Sequence, residues 1–295
     1  MIRLFAAFLL SLACAAHAYS QLEHARPKID SIAQHARGRI GVAVIDLASG
    51  DTLSVRGNER FPMQSVYKFP LALAALDRVD RGAMKLSTPV HVAKKDLLPD
   101  TWSPLRDRYP QGDVDLPLDT LLQYTVAQSD NNGCDRLFRL LGGTRRVEKY
   151  VRGLGLRDIA IVATEEEMHR AWNVQYRNWC TPRMMARLLE RFRKGNVVSH
   201  ASTEYLWGVM AGTTTGTKRL KGRLPDGTIV AHKTGSSGTN EKGIAAATND
   251  VGIIVLPDGR EAAVVVFVSD SDAAEAARDA VIASIARAVW DALVK

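Results

Sequence analysis

Residues 39–58 read RIGVAVIDLASGDTLSVRGN, two β-rich runs joined at ASGD, which is a hairpin signal. A lone hairpin is marginal in water and needs further strands. They come near the other end of the chain, as TIVAHKTGSS (228–237), GIAAATNDVGIIVLPDG (243–259) and EAAVVVFVSDS (261–271), the last two joined by a turn at PDG. Between these ends the pattern is helical, in LDTLLQYTVAQ (118–128), NGCDRLFRLLG (132–142), TPRMMARLLERFRKG (181–195) and TEYLWGVMAG (203–212). A last helix fills 273–294. Strands at both ends around a helical middle predict an α+β fold, with first and last segments sharing one antiparallel sheet covered by the terminal helices. Residues 19–60 and 213–295 then form an α/β lobe and residues 61–212 an all-helical lobe. A ligand cleft is expected at their junction.

The bulk numbers suit that picture. A chain of 295 residues exceeds one typical domain unit, and 46% hydrophobic with 24% charged residues is enough to bury a core. Residues 1–18, MIRLFAAFLLSLACAAHA, carry one cation, an apolar run and a small-x-small ending, the layout of a secretory leader cut after Ala18. The mature protein is therefore expected in the periplasm, with no membrane span; lipid attachment at Cys14 is the alternative. Cys134 and Cys180 survive cleavage, and two thiols in so long a chain make no disulfide framework, so they are expected unpaired. Loss of Arg3 takes the net charge from +7 to +6. The densest basic stretches, 219–223 and 187–194, are short and lack interleaved aromatics, which argues against a nucleic-acid partner. The seven histidines show no H-x-x-x-H and neither cysteine sits in a ligand motif, so no metal and no cofactor is expected. Nothing points beyond a monomer.

Chemistry enters at QSVYKFP, residues 64–70. Ser65 and Lys68, at i and i+3, share one face of the first helix of the middle section. A serine hydroxyl is a weak nucleophile until a neighbour takes its proton. A lysine does so only when burial or a nearby cation lowers its pKa from about 10.4. With the helix starting at Ser65, Pro70 would leave the carbonyl of Val66 without its partner, a broken local rule beside a candidate nucleophile. Alone, the pair reads first as a helix-capping serine and a snorkelling lysine.

Two further triplets decide the matter. Ser129-Asp130-Asn131 falls between helical runs, and Lys233-Thr234-Gly235 lies in a predicted strand. S-x-x-K, S-D-N and K-T-G in this order are the signature of class A β-lactamases and penicillin-binding proteins. The chain resembles class A serine β-lactamases over essentially its whole mature length. SVYKFPLA (65–72), QSDNNGCD (128–135), NWCTP (178–182), TTTGTKRLKGRLP (213–225), VAHKTG (230–235) and AAATNDVGIIVLP (245–257) are similar to the PER- and VEB-type extended-spectrum branch. The resemblance implies a five-stranded antiparallel sheet flanked by helices, beside a helical lobe.

It also implies a catalytic glutamate on a loop with the pattern E-x-x-L-N. The matching stretch is ATEEEMHRAW (163–172), whose three glutamates composition cannot rank. Aligning Met168 on the leucine and His169 on the asparagine selects Glu165, with His169 orienting the water through a ring nitrogen. The arginine and aspartate that clasp this loop elsewhere in the family are replaced by Ala163 and Asn178. Loop support is therefore sought in Asp135 and the QYRNW segment (175–179).

By the same resemblance, Ser65 attacks a β-lactam carbonyl and Ser129 relays a proton to the departing nitrogen. Lys68, or Glu165 through water, is the acylation base. Lys233, Thr234 and Ser236 bind the substrate carboxylate, with Arg219 adding positive potential. Backbone N–H groups of Ser65 and Ser236 form the oxyanion hole, Asn131 holds the substrate's side-chain amide, and Trp102 is an aromatic wall. A DD-peptidase or a non-hydrolysing β-lactam sensor would share the three motifs but lack an efficient deacylating carboxylate.

Overall fold

The structure, a computed structural model, describes residues 21–294. The expected leader and Cys14 lie outside the described residues. β1 (Arg39–Asp46) and β2 (Thr52–Val55) form the expected hairpin. β3 (Val230–Ser236), β4 (Ala245–Val255) and β5 (Glu261–Ser271) complete one sheet in the order β2-β1-β5-β4-β3. Every neighbouring pair is antiparallel, with Ile40 opposite Val268 and Lys233 opposite Val251. The hairpin turn is held by Asp46, whose carboxylate accepts the N–H of Ala48 at 2.8 Å.

The longer helices are α1 (Arg26–His35), α2 (Lys68–Asp80), α3 (Leu118–Val126), α4 (Asn131–Leu141), α5 (Thr144–Gly153), α6 (Pro182–Arg193), α7 (His200–Ala211) and α8 (Glu275–Leu293). The sheet is covered on both faces, which is why its central strands are near-continuous apolar runs. Val42, Val44, Val264, Val266 and Val268 point one way and pack with Ile29 of α1 and Ile282, Ile285 and Val289 of α8. The alternate residues Ala43, Ile45, Ala263, Val265 and Phe267 join a second core with α6 and α2. The period of two along each strand thus sorts side chains between two cores.

Two readings need correction. The middle of the chain is not all helical. Phe61–Pro62, Ile159–Ala160 and Trp179–Cys180 form a small three-stranded sheet, and Pro89–Val92 pairs with Val114–Pro117. Runs of two to four residues carry no period to detect, and their prolines sit at strand ends, where a missing N–H costs little. The helix also does not start at Ser65. Gln64–Tyr67 is a 3₁₀ turn and α2 begins at Lys68. Pro70 is thereby a first-turn residue, whose N–H would have had no intrahelical acceptor, so the rule is not broken.

α2 is buried almost all round, including Phe69, Leu71, Leu73 and Leu76. Lys68 at its head is wholly buried and does not snorkel.

Candidate active site

The 3₁₀ turn brings Ser65 back over the first turn of α2, so that Lys68 Nζ lies 2.9 Å from Ser65 Oγ. The ammonium also meets the carbonyl of Ser129 at 2.8 Å, Asn131 Oδ1 at 2.5 Å and Glu165 Oε1 at 2.9 Å. Four oxygens surround a group with three protons. A buried charge survives only when paired and hydrogen-bonded, and here both conditions hold. Glu165 Oε1 is also 3.4 Å from Ser65 Oγ.

Ser129 reaches the site through unusual backbone. Its φ of +60° is in the left-handed region, which non-glycine residues rarely occupy. That twist gives its carbonyl to Lys68 and its hydroxyl to Lys233, whose Nζ donates to Ser129 Oγ at 2.9 Å. The loop is pinned by Asp130, which caps α4 at the N–H of Gly133 and accepts the N–H of Leu105, both at 2.7 Å. Lys233 is fully buried; burial and the nearby Lys68 ammonium push its pKa well below the usual lysine range.

β3 forms the opposite wall. Thr234 and Ser236 line the cleft, Thr234 Oγ1 lies 2.6 Å from Thr215 Oγ1, and Arg219 donates to Ser236 Oγ at 2.8 Å. Arg219 is held by Asp279 at 2.8 Å and by the carbonyls of Gly235 and Asn249. Gly235 is required by close approach, since a Cβ there would lie 2.5 Å from the carbonyl oxygen of Met63. Asn249 reinforces the join by donating to the carbonyls of Pro62 and Met63 at 2.8 and 3.1 Å.

The cleft bounded by Ser65, Trp102, Ser129, Asn131, Thr234 and Ser236 holds about 470 Å³. A further space of about 260 Å³ runs past Gln64, Glu165, His169, Trp172 and Ser237. Trp102 is 61% exposed at the edge of the first cleft, with its indole N–H tied to the carbonyl of Gln128 at 2.9 Å. Asn131 Nδ2 donates to Thr101 Oγ1 at 2.7 Å. His169 Nδ1 lies 3.1 Å from the carbonyl of Glu165, which leaves Nε2 as its outward ring nitrogen.

Glu165 opens a short helix, Glu165–Arg170, closed by a capping box between Thr164 and Glu167. Asn178, at one of the two positions of the missing ion pair and inside the QYRNW segment, ties the loop through its amide. Its Oδ1 accepts the N–H groups of Val162 and Ala163 at 2.8 and 2.9 Å, and its Nδ2 donates to the carbonyl of Ala163 at 2.8 Å. An amide both donates and accepts, so one neutral side chain meets N–H and carbonyl groups of the loop together. Asp135 supports the loop as expected, accepting the N–H groups of Glu165 and Glu166 at 2.8 and 2.9 Å. So does QYRNW: Gln175 bonds Gln64, and Tyr176 Oη donates to Asp270 at 2.6 Å. Thr215, Asp279 and the Gln64–Gln175 pair were not foreseen; buried amides meeting from distant segments leave no local sequence signal.

All ten residues singled out on catalytic and binding grounds, and His169, thus converge on one cleft. A hydroxyl held between an ammonium and a carboxylate is an arrangement for acyl transfer through a covalent intermediate. Known proteins narrow that class. A sequence model described as the beta-lactamase enzyme family matches residues 24–293. The chain is 44% identical over 274 residues to beta-lactamase VEB-1 of Pseudomonas aeruginosa, covering 92% of this chain and 91% of that one. It is 42% identical to extended-spectrum beta-lactamase PER-1 of the same organism, covering 90% and 86%. A beta-lactamase structure from Chitinophaga pinensis superposes with a TM-score of 0.89 at 54% identity, covering 91% of this chain and 98% of that one. The TLA-1 extended-spectrum beta-lactamase gives 0.91 at 50%, covering 94% and 100%. The chain belongs to the β-lactamase enzyme family, and its fold is that of class A.

Proposed function

We propose that the protein hydrolyses the amide of penicillins and cephalosporins, oxyimino-cephalosporins included, through an ester on Ser65. Ser65 Oγ bonds to the carbonyl carbon as its proton passes through water to Glu165, or to Lys68 once the Lys68 ammonium has given a proton to Glu165, 2.9 Å away. The C–N bond then breaks, and the proton taken from Ser65 is returned to the departing nitrogen, relayed through the Ser129 hydroxyl. Backbone N–H groups of Ser65 and Ser236 hold the oxyanion, where one donor is worth roughly 10²–10³ in rate. Lys233, Thr234 and Ser236 bind the substrate carboxylate, with Arg219 acting through Ser236. Asn131 takes the side-chain amide and Trp102 walls the cleft. In the second half, Glu165 takes a proton from a water held with His169, the hydroxide attacks the ester, and Ser65 leaves with its hydroxyl restored.

The observation that carries this reading is the position of Glu165, in contact with both the nucleophile and its lysine. A DD-peptidase or a sensor needs no carboxylate there. The α/β lobe (19–60 and 213–295) and the helical lobe (61–212) are proposed to meet at this cleft, in a monomer exported to the periplasm by residues 1–18. Among the described residues no helix is long and apolar enough to cross a membrane. A chromogenic cephalosporin tests the function: repeated turnover is expected, and a single stoichiometric burst would assign the protein to the peptidase or sensor class.

A further inference from the structure

One buried ionisable pair lies behind the cleft and takes no part in the chemistry above. His232 Nδ1 sits 2.9 Å from both carboxylate oxygens of Asp250, and both residues are wholly buried. They are diagonal neighbours on β3 and β4, since His232 pairs with Gly252 and Thr234 with Asp250. Gly252 makes the room, because a Cβ there would lie 2.6 Å from that of His232.

Asp250 has a third contact. Its Oδ2 accepts the N–H of Leu220 at 3.1 Å, the residue next to Arg219. Thr213, from the same 213–222 segment, donates to the carbonyl of His232 at 2.7 Å. One carboxylate therefore ties the backbone that carries Arg219 to the strand that carries Lys233 and Thr234. Its charge also opposes the depression of the Lys233 pKa caused by burial and by Lys68, with Glu165 acting in the same sense. Burying a carboxylate is costly unless its lone pairs are met, and here two donors from different segments meet them.

We propose that Asp250 is a positioning residue for recognition of the substrate carboxylate, fixing Arg219 through Leu220 and the Lys233–Thr234 edge through His232. This rests on the reading that those residues bind the carboxylate, and it adds a requirement that the reading does not contain. The discriminating probe is a cephalosporin and its carboxylate methyl ester, which share the reacting amide and differ in the charge recognised.

Asp250→Asn is expected to lower kcat/KM for the free acid by about 10- to 100-fold, the equivalent of one charge-assisted hydrogen bond, chiefly through KM. The ester should lose little. Equal losses on acid and ester, or no loss on the acid, would overturn the proposal. Should Asp250→Asn fail to fold, His232→Phe removes the donor while keeping a ring of similar size, and carries the same expectation. A wild-type enzyme indifferent to esterification would instead refute the carboxylate assignment of Lys233 and Arg219.

Discussion

The carboxylate of Asp135 lies beneath Glu165 and accepts its backbone N–H at 2.8 Å, so that one acid holds another in place. Burial first, and the Glu165 charge second, raise the Asp135 pKa from its ordinary 3.8 to about 6. An acid whose folded pKa exceeds its unfolded one keeps its proton in the native state after the unfolded chain has lost it. Its stabilising contribution is complete below about pH 4 and is lost as pH rises through 6. A shift of this size corresponds to about 3 kcal/mol. Urea unfolding from pH 4 to 7 should show a steeper loss of stability in the wild type than in Asp135→Asn. Parallel curves would contradict this.

Glu165 and Glu166 are neighbours with opposite surroundings. Glu165 is buried against Lys68, whereas Glu166 pairs on the surface with Arg170 at 3.0 Å. Glu165→Ala should accumulate a covalent adduct on Ser65, visible by intact mass after exposure to a cephalosporin. Glu166→Ala should keep most of its turnover. The reverse pattern would move the deacylating role by one residue.

Asn178→Ala removes three hydrogen bonds to the main chain and a fourth to Met168 Sδ, and leaves the buried N–H of Ala163 without its acceptor. The expected cost is about 2–4 kcal/mol, read as a lowered melting temperature. Turnover should fall further than acylation, since the loop presents Glu165. A variant that melts like the wild type would show that the loop is held elsewhere.

Cys134 and Cys180 are both buried and unpaired, and burial pushes each thiol well above its ordinary pKa. Neither should react with an aromatic disulfide reagent until the protein is unfolded. Added reductant should leave the melting temperature unchanged; a shift would reveal a disulfide.

Much of this was legible in the sequence because its carriers are local. The turns at ASGD and PDG, the apolar runs of β1 and β5, and three short motifs each fit within a window of a few residues. What escaped is set by long-range geometry. QYRNW was legible as a support for the loop but its partners were not: Asn178 meets Val162 and Ala163 across 15 or 16 positions, and Gln175 meets Gln64 across 111. Pro70 misled because the reading placed an α-helix where the chain makes a 3₁₀ turn. His232 and Asp250 are visible as ionisable residues inside predicted strands, but only the pairing of β3 with β4 brings them together.

Gly235 leaves the Ser65 turn and the edge strand touching main chain to main chain, with no room for even a methyl group between them. Heritable change at that seam is closed off, because any larger residue would part the nucleophile from the strand it faces. Gly238, by contrast, faces open space, so a side chain there can grow without touching Ser65 or its partners.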